Sequence, residues 1–169
     1  MGSQEAARRI SLALLCAGAL GLAAGCSSST SASGTSTPVV KSGQTVKVDV
    51  RSIPGLGQVL VTSKGYALYV FEPDHHRAVT CISVCAGTWP PLMAPSAAGL
   101  VGGPGVLQAL LGSDPDPVGG RVVTYDGWPL YGYTGDVQPD QATGQDIDTN
   151  GGEWYVIRPS GQPVLVPLR

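Results

Sequence analysis

Short stretches that alternate polar and apolar residues run through the chain and predict β-strands. Lys47-Val-Asp-Val-Arg51 alternates at every position, as a half-buried strand does. Val59–Thr62 and Tyr66–Phe71 are predicted as two further strands, because Ser63-Lys-Gly65 between them suits a hairpin turn. This part of the chain is therefore predicted to fold as a small β unit.

A second hairpin is predicted later in the chain. Arg121–Tyr125 and Trp128–Tyr133 have strand-like composition, and Asp126-Gly127 between them is a strong hairpin signal. Pro129 has no backbone N–H to donate, so its strand is expected to lie at a sheet edge or to pair on one side.

The remaining segments add little helix. Pro104–Leu111 is predicted as a helix of about two turns, and Asp114–Pro117 as a loop. Trp154–Arg158 and Pro163–Pro167 are predicted as strands. The resulting fold class is all-β: a compact antiparallel sandwich or small barrel built from two related β-hairpin repeats, with one short helix between them.

The two hairpins belong to an internal repeat. Val61–Asp74 and Val123–Asp136 align without a gap, which indicates one supersecondary unit used twice. The matched residues are Tyr69 with Tyr131, Phe71 with Tyr133, and Asp74 with Asp136. We place repeat one at about residues 59–93 and repeat two at about 121–161.

The N-terminus is typical of an exported lipoprotein. Residues 1–25 carry Arg8 and Arg9 before an apolar stretch of about 15 residues, shorter than the ~20 that a spanning helix needs. Leu22-Ala-Ala-Gly-Cys26 resembles a bacterial lipobox, in which the cysteine is acylated, usually with palmitate. We therefore expect lipidation at Cys26 and anchoring to the outer face of the cell membrane; the alternative is an ordinary secretory signal with an incidental cysteine.

A tether follows the predicted lipidation site. Residues 26–43 are rich in Ser, Thr, Gly and Ala as far as Pro38 and hold no large apolar residue before Val39. Such a segment cannot bury a core and is predicted to be disordered. The β domain is assigned to residues 44–169.

Composition excludes one class of partner. The chain has 24 Gly, 14 Pro and 13% charged residues, which suits a turn-rich β protein. Its formal net charge is −2, and removal of Glu5, Arg8 and Arg9 with the signal would make it more acidic. No cluster of Lys or Arg remains to neutralise phosphates, so no nucleic-acid partner is expected.

The four cysteines have different predicted fates. Cys16 lies in the signal, and Cys26 would carry lipid. Cys81 and Cys85 remain in an exported chain, where a disulfide is the simplest expectation. Three intervening residues close a small loop, so its stabilisation is expected at or below ~3 kcal/mol.

Several motifs in one order carry a family resemblance. Both copies of the repeat fit Y-x-[FWY]-x-x-D, and they are accompanied by Cys81-x-x-x-Cys85-Ala, Trp89-Pro-Pro-Leu92, Thr124–Tyr131 and Gly152–Val156. From about Val59 to Gly161 the chain resembles the bacterial "secreted repeat" lipoprotein family. The resemblance implies export, a lipid anchor and repeated copies of one unit. That family has no established activity, so it carries over no catalytic residue.

The aromatic residues of the repeat have two interpretations. In the first, they form the core between the repeats, and Asp74 and Asp136 accept backbone N–H bonds in the turns that end the strands. In the second, the aromatic side chains wall a groove for a sugar or peptide, with Trp89, Trp128 and Trp154 as possible binding residues.

One acidic segment partly matches a calcium loop. Asp146, Asp148 and Asn150 place oxygen ligands at alternate positions, with glycine at the sixth place. The twelfth place is Ile157, so this is not an EF-hand. Glu153 could complete a weak calcium site of ~10⁻⁴–10⁻³ M; otherwise the segment is an Asx-rich turn.

A mixed metal site near the cysteines is not expected. Adjacent side chains such as those of His75 and His76 point opposite ways in an extended segment, and oxidised Cys81 and Cys85 are not sulfur ligands. Solvated loop histidines are the simpler interpretation. No cofactor is therefore predicted, apart from the possible weak calcium.

The sequence favours a non-enzymatic protein. It contains no nucleophile elbow, Walker loop or zincin helix, and Cys81-x-x-x-Cys85 is not a C-x-x-C redox motif. We expect a surface-anchored lipoprotein that binds an envelope component or protein, or has a structural role there. The alternatives are a metal- or redox-linked accessory lipoprotein and a cell-wall hydrolase.

Overall fold

The computed structural model of the protein describes residues 45–74, 78–94 and 99–166. The predicted signal, the tether with Cys26, and His75-His76 lie outside the described residues. Within the described ranges, no helix is long and apolar enough to cross a membrane.

Short strands make up most of the regular structure. In chain order they are β1 (Val46–Ile53), β2 (Gly57–Thr62), β3 (Tyr69–Phe71), β4 (Leu100–Gly102), β5 (Leu111–Pro115), β6 (Arg121–Tyr125), β7 (Trp128–Pro129), β8 (Ile147–Thr149) and β9 (Gly152–Val156). In the described part of the chain between β3 and β4 lies the α-helix α1 (Val84–Thr88).

The described strands form three small sheets and no closed barrel. Their strand orders are β2-β1-β4, β3-β9-β8 and β5-β6-β7. All the pairings are antiparallel except that of β1 with β4, which is parallel. The prediction of an all-β fold with two repeats is confirmed, and the barrel alternative is not formed by these strands.

The first predicted hairpin is present in part. The alternating Lys47–Arg51 segment lies within β1, which pairs with β2 from Val48↔Thr62 to Ile53↔Gly57. After β2 the chain turns tightly, and the Thr62 N–H donates to the Tyr66 carbonyl at 2.8 Å. Beyond this turn, β3 pairs with β9 of the other repeat rather than continuing along β2.

The second hairpin is confirmed. Asp126 and Gly127 join β6 to β7 with φ values of 50° and 79°, and positive φ at both central residues is the type I′ pattern. Pro129 lies in β7, which is at a sheet edge as predicted. The strand is shorter than predicted and ends at Pro129.

The helix predicted over Pro104–Leu111 is wrong. Only a 3-10 turn forms there, at Gln108–Leu110, and the chain then enters β5. The Gln108 side chain accepts from the Gly102 N–H and donates to the Leu100 carbonyl. These bonds, together with the pairing of β5 with β6, prevail over a local helix preference worth only tenths of a kcal/mol per residue.

Two other segments differ from prediction. The loop expected at Asp114–Pro117 begins inside β5, because Asp114 pairs with Val122. The predicted strand at Pro163–Pro167 is reduced to one bridge between Ile157 and Pro163 within the described residues.

The two repeats are interlocked. In repeat one, Tyr69 pairs with Val156, which lies two residues after Trp154 in repeat two. In repeat two, Tyr131 pairs with Pro91, which lies two residues after Trp89 in repeat one. The segment containing the tryptophan of each repeat is therefore hydrogen-bonded to the tyrosine segment of the other.

Candidate functional site

Tyr69 and Tyr131 lie side by side at the centre of the fold. The N–H of each donates to the carbonyl of the other, and both N···O distances are 2.9 Å. Because the two tyrosines are equivalent positions of the repeat, contacts around this pair occur twice in a roughly symmetric arrangement.

Each motif tyrosine is bonded to the motif aspartate of the other repeat. The Tyr69 hydroxyl donates to the Asp136 carboxylate at 2.6 Å, and the Tyr131 hydroxyl donates to the Asp74 carboxylate at 2.6 Å. Both tyrosines and both aspartates are buried. The motif thus supplies two buried polar contacts that join the repeats.

The other carboxylate oxygen is held within its own repeat by a threonine. Asp74 accepts from the Thr80 N–H at 2.9 Å and from the Thr80 hydroxyl at 2.5 Å. Asp136 accepts from the Thr143 N–H at 2.8 Å and from the Thr143 hydroxyl at 2.6 Å. The predicted backbone N–H contacts of both aspartates are therefore present.

The residue after each threonine completes the arrangement. The N–H of Gly144 donates to the Tyr69 hydroxyl at 3.2 Å. In the other copy, the backbone N–H of Cys81 lies close enough to the Tyr131 hydroxyl to oppose, in part, the rise in its pKa. The sequence analysis missed both threonines, although a Thr follows the motif aspartate at a similar distance in each copy.

The buried environment keeps both tyrosines protonated. Burial, and then the hydrogen bond to the Asp136 carboxylate, raise the pKa of Tyr69 well above 10.0. Burial, and then the Asp74 carboxylate, raise the pKa of Tyr131 in the same way. A phenolate at either place would be both desolvated and next to a negative charge, so these hydroxyls act as hydrogen-bond donors rather than as bases.

Four aromatic rings form a continuous stack beside the tyrosines. The central pair, Trp89 and Trp154, has ring centroids 4.0 Å apart and an interplanar angle of 1°. Phe71 stacks on Trp154 at 4.3 Å, and Tyr133 stacks on Trp89 at 4.2 Å. Each tryptophan therefore carries the second motif aromatic of the opposite repeat.

The two motif tyrosines pack against this stack edge-on. Tyr69 contacts Trp89 at 5.4 Å and Tyr131 contacts Trp154 at 5.2 Å between ring centroids. Edge-to-face pairs at such distances add to the energy of apolar burial. The interpretation of the repeat aromatics as the core between the repeats agrees with this packing.

The alternative role of the tryptophans in binding requires correction. Trp89 and Trp154 are 0% exposed, so neither ring can contact a ligand in this conformation. Their indoles are apolar enough to stack in the core, and the hydrophobic contribution of burying them is large. Trp128 is half-buried and keeps an accessible surface.

The two copies differ at their tryptophans. The Trp154 Nε1 donates to the Thr149 carbonyl at 3.4 Å. The Trp89 Nε1 is buried and has no hydrogen-bond partner among the described residues. The copies also differ at the ends of the stack, where Phe71 is buried and Tyr133 is half-buried.

Cys81 and Cys85 form a disulfide, as expected. Their Cα atoms are 5.2 Å apart. Cys81 is buried, while Cys85 lies at the start of α1 and is partly buried. The bond therefore ties α1 to the segment that contacts Asp74 and Tyr131.

The acidic segment near the C-terminus forms a β-hairpin. β8 and β9 are joined by Asn150 and Gly151, both with positive φ. Asp148 pairs with Glu153 across the hairpin, and the Asp146 N–H donates to the Trp154 carbonyl at 2.9 Å. Among the described residues, no three His, Cys, Asp or Glu side chains are grouped as metal ligands would be.

An open groove of about 460 Å³ lies next to one end of the aromatic stack. Tyr133 and Pro90 line it on the side of the repeat core. The β1–β2 region contributes Lys47, Lys64 and Tyr66. Sequence analysis did not identify this site, because its residues come from four separate segments of the chain.

Comparison with known proteins relates the chain to a family. A family model described as "secreted repeat of unknown function" matches residues 52–93 and 114–158. These two ranges contain both tyrosine–aspartate motifs and both core tryptophans. Neither the curated proteins nor the solved structures gave a match.

Proposed function

The chain belongs to the family of secreted repeats of unknown function, and from that premise we propose that it is a non-enzymatic binding or structural module of the cell envelope. Cys26 would carry the lipid that anchors it to the outer face of the cell membrane. Its partner would be an envelope component or protein and not a nucleic acid.

One observation carries the non-enzymatic part of the proposal. The hydroxyls and carboxylates of the repeat motif bind one another at 2.6 Å in the core. Catalysis by general acid or base needs a group within hydrogen-bond reach of a substrate, and these groups are buried. The motif is therefore assigned to joining the repeats, and binding is assigned to the surface.

The anchor is supported by the N-terminal sequence. Arg8 and Arg9, the apolar stretch after them and the lipobox-like Leu22–Cys26 segment occur in the order of a lipoprotein signal. A single acyl chain binds membranes only marginally, so stable anchoring would require more than one chain on Cys26.

Substitution of the lipidation site tests the anchor. In an expressing bacterium, Cys26→Ser should move the protein from the membrane fraction to the medium, and intact mass should show loss of the acyl groups. Cys16→Ser, inside the signal, is the matched control and should stay with the membrane. Membrane retention of the Cys26→Ser protein would contradict lipid anchoring.

The released Cys26→Ser protein also tests the rest of the proposal. It should sediment with isolated cell envelopes and release no soluble fragments from them, as read by mass spectrometry. Fragment release that disappears on substitution of one acidic residue would instead support the hydrolase alternative. Failure to sediment would leave a structural role rather than a binding role.

A weak calcium site is the second candidate. Its supporting observation is that Asp148 and Glu153 are cross-strand neighbours, and like charges placed opposite each other are destabilising. A bound cation would relieve that repulsion. Calorimetry should then detect calcium binding that Asp148→Asn weakens and the control Asp114→Asn does not; no heat at millimolar calcium would reject the site.

A further inference from the structure

The groove beside Tyr133 differs from its counterpart in the other repeat. Gly132 lines the groove, and the equivalent residue in repeat one is Val70, which is 1% exposed. A Cβ atom built on Gly132 would approach nothing closer than 3.8 Å. The missing side chain at this position therefore leaves space that the other repeat fills.

The two ends of the aromatic stack also differ in their exposure. Phe71, at one end, is buried. Tyr133 is half-buried and faces the groove. The groove is thus a local departure from the repeat and not a consequence of the shared fold.

The groove combines an apolar lining with positive charge. Most of its lining is apolar and includes Pro90, Leu92 and the rings of Tyr66 and Tyr133. Lys47 and Lys64 also line it. They are two of the five basic residues in the described part of the chain, the others being Arg51, Arg121 and Arg158.

Lys64 supplies the charge most available to a ligand. Lys47 contacts Asp49 at 2.7 Å, so its charge is partly neutralised. No ion pair of Lys64 is found among the residues that the structure describes. In a chain of net charge −2, a cation in an aromatic groove favours a negatively charged ligand.

We propose that this groove binds a small anion that carries an aromatic or apolar ring, with the ring against Tyr66 and Tyr133 and a carboxylate or phosphate near Lys64. A volume of about 460 Å³ suits a molecule of that size. The inference rests on the proposed binding function and specifies the chemistry of the ligand.

Four probes separate the contributions of ring and charge. Phenyl phosphate and phenylacetate carry both, benzyl alcohol carries only the ring, and inorganic phosphate carries only the charge. Calorimetry should be done on the exported protein, purified as the expressing cell produces it. Phenyl phosphate or phenylacetate should bind at least tenfold more tightly than benzyl alcohol and inorganic phosphate do. A preference between them identifies phosphate or carboxylate as the anion.

Two substitutions assign the binding to the groove. Gly132→Val fills the space with the residue of the other repeat, and Lys64→Gln removes the charge. Each should weaken binding of the preferred probe at least tenfold without lowering the melting temperature. Arg121→Gln, an exposed cation on β6 outside the groove, is the control and should bind as the unsubstituted protein does.

The possible outcomes are distinct. Unchanged binding by Gly132→Val and Lys64→Gln, or no binding of any probe, would overturn the proposal. If benzyl alcohol or inorganic phosphate bound as tightly as phenyl phosphate and phenylacetate, the requirement for both ring and charge would be overturned. Release of phosphate from phenyl phosphate that Gly132→Val abolishes would retain the groove and instead contradict the non-enzymatic function.

Discussion

The Tyr69 hydroxyl donates a hydrogen bond to the Asp136 carboxylate at 2.6 Å, across 67 residues of sequence and between the two repeats. Its counterpart joins Tyr131 to Asp74 at the same distance. The first residue of each Y-x-[FWY]-x-x-D motif therefore donates its hydroxyl hydrogen bond to the last residue of the other copy. Because each tyrosine finds its aspartate in the other copy, these hydrogen bonds can form only when two copies of the motif are present.

The hydrogen bonds from each motif tyrosine to the aspartate of the other copy predict energetic coupling between the repeats. Tyr69→Phe should lower the free energy of unfolding by about 2 kcal/mol, because the buried carboxylate loses a hydrogen-bond donor. A double-mutant cycle of Tyr69→Phe with Asp136→Asn, measured by urea denaturation, should give a coupling energy of about 0.5–3 kcal/mol.

The controls for this cycle are within the same protein. Tyr69→Phe combined with Asp74→Asn should show a smaller coupling, because Asp74 is bonded to Tyr131 instead. Tyr155→Phe should cost less than about 0.5 kcal/mol, since its hydroxyl contacts an exposed glutamate. Stronger coupling of Tyr69 to Asp74 than to Asp136 would contradict the pairing of Tyr69 with the aspartate of the other repeat.

Stability should fall in alkali because of the same tyrosines. Their pKa values are raised above 10.0 in the folded protein by burial and by the neighbouring carboxylates. The unfolded chain therefore releases protons that the native state keeps, so the contribution is intact below about pH 10 and declines above it. Each tyrosine should add a slope of about 1.4 kcal/mol per pH unit.

Urea denaturation between about pH 9 and about pH 12 measures this slope. Tyr69→Phe should reduce it by about 1.4 kcal/mol per pH unit, and adding Tyr131→Phe should reduce it again by the same amount. Tyr155, whose pKa is raised to about 12 by its hydrogen bond to Glu153 and then by burial, contributes in all these variants. An unchanged slope in the double variant would refute the assignment.

Much of the fold was predictable from short-range pattern. Alternation at Lys47–Arg51 and the Asp126-Gly127 turn gave the correct elements, because local backbone preferences determine them. The helix over Pro104–Leu111 failed, because the pairing of β5 with β6 outweighed local preference. Periodicity over so short a segment does not distinguish a helix from a turn that leads into a strand.

The site was less predictable, because its contacts are between repeats. The position of Asp74 at the end of a predicted strand indicated that it would accept a backbone N–H, and Thr80 provides it. Spacing could not indicate that the partner of Tyr69 lies in the other copy. Local sequence does not distinguish an exposed tryptophan from a buried one. The burial of Trp89 and Trp154 therefore became evident only from the assembled core.

Close packing around the aromatic stack predicts a steric effect at Gly144. A Cβ atom there would lie 2.7 Å from the Trp89 ring, and the Gly144 N–H also holds the Tyr69 hydroxyl. Gly144→Ala should therefore lower the free energy of unfolding by about 1–3 kcal/mol, the usual cost of overpacking.

A second glycine provides the matched control, with thermal unfolding as the measurement for both. Gly87 lies in α1, and a Cβ atom there would meet nothing within 4 Å. Gly87→Ala should be neutral or stabilising by up to about 1 kcal/mol, because alanine favours helix. Equal effects of the two substitutions would show that the contact with Trp89 is not tight.

The interlocked pairing predicts that neither repeat folds alone. A fragment ending at Ala94 would keep Tyr69 without Asp136 and Trp89 without Trp154, leaving buried polar groups and a large aromatic surface without partners. It and the fragment starting at Gly99 should each lack near-ultraviolet circular dichroism, and an equimolar mixture should recover it. A fragment that folds alone would show that the contacts between repeats are dispensable for stability.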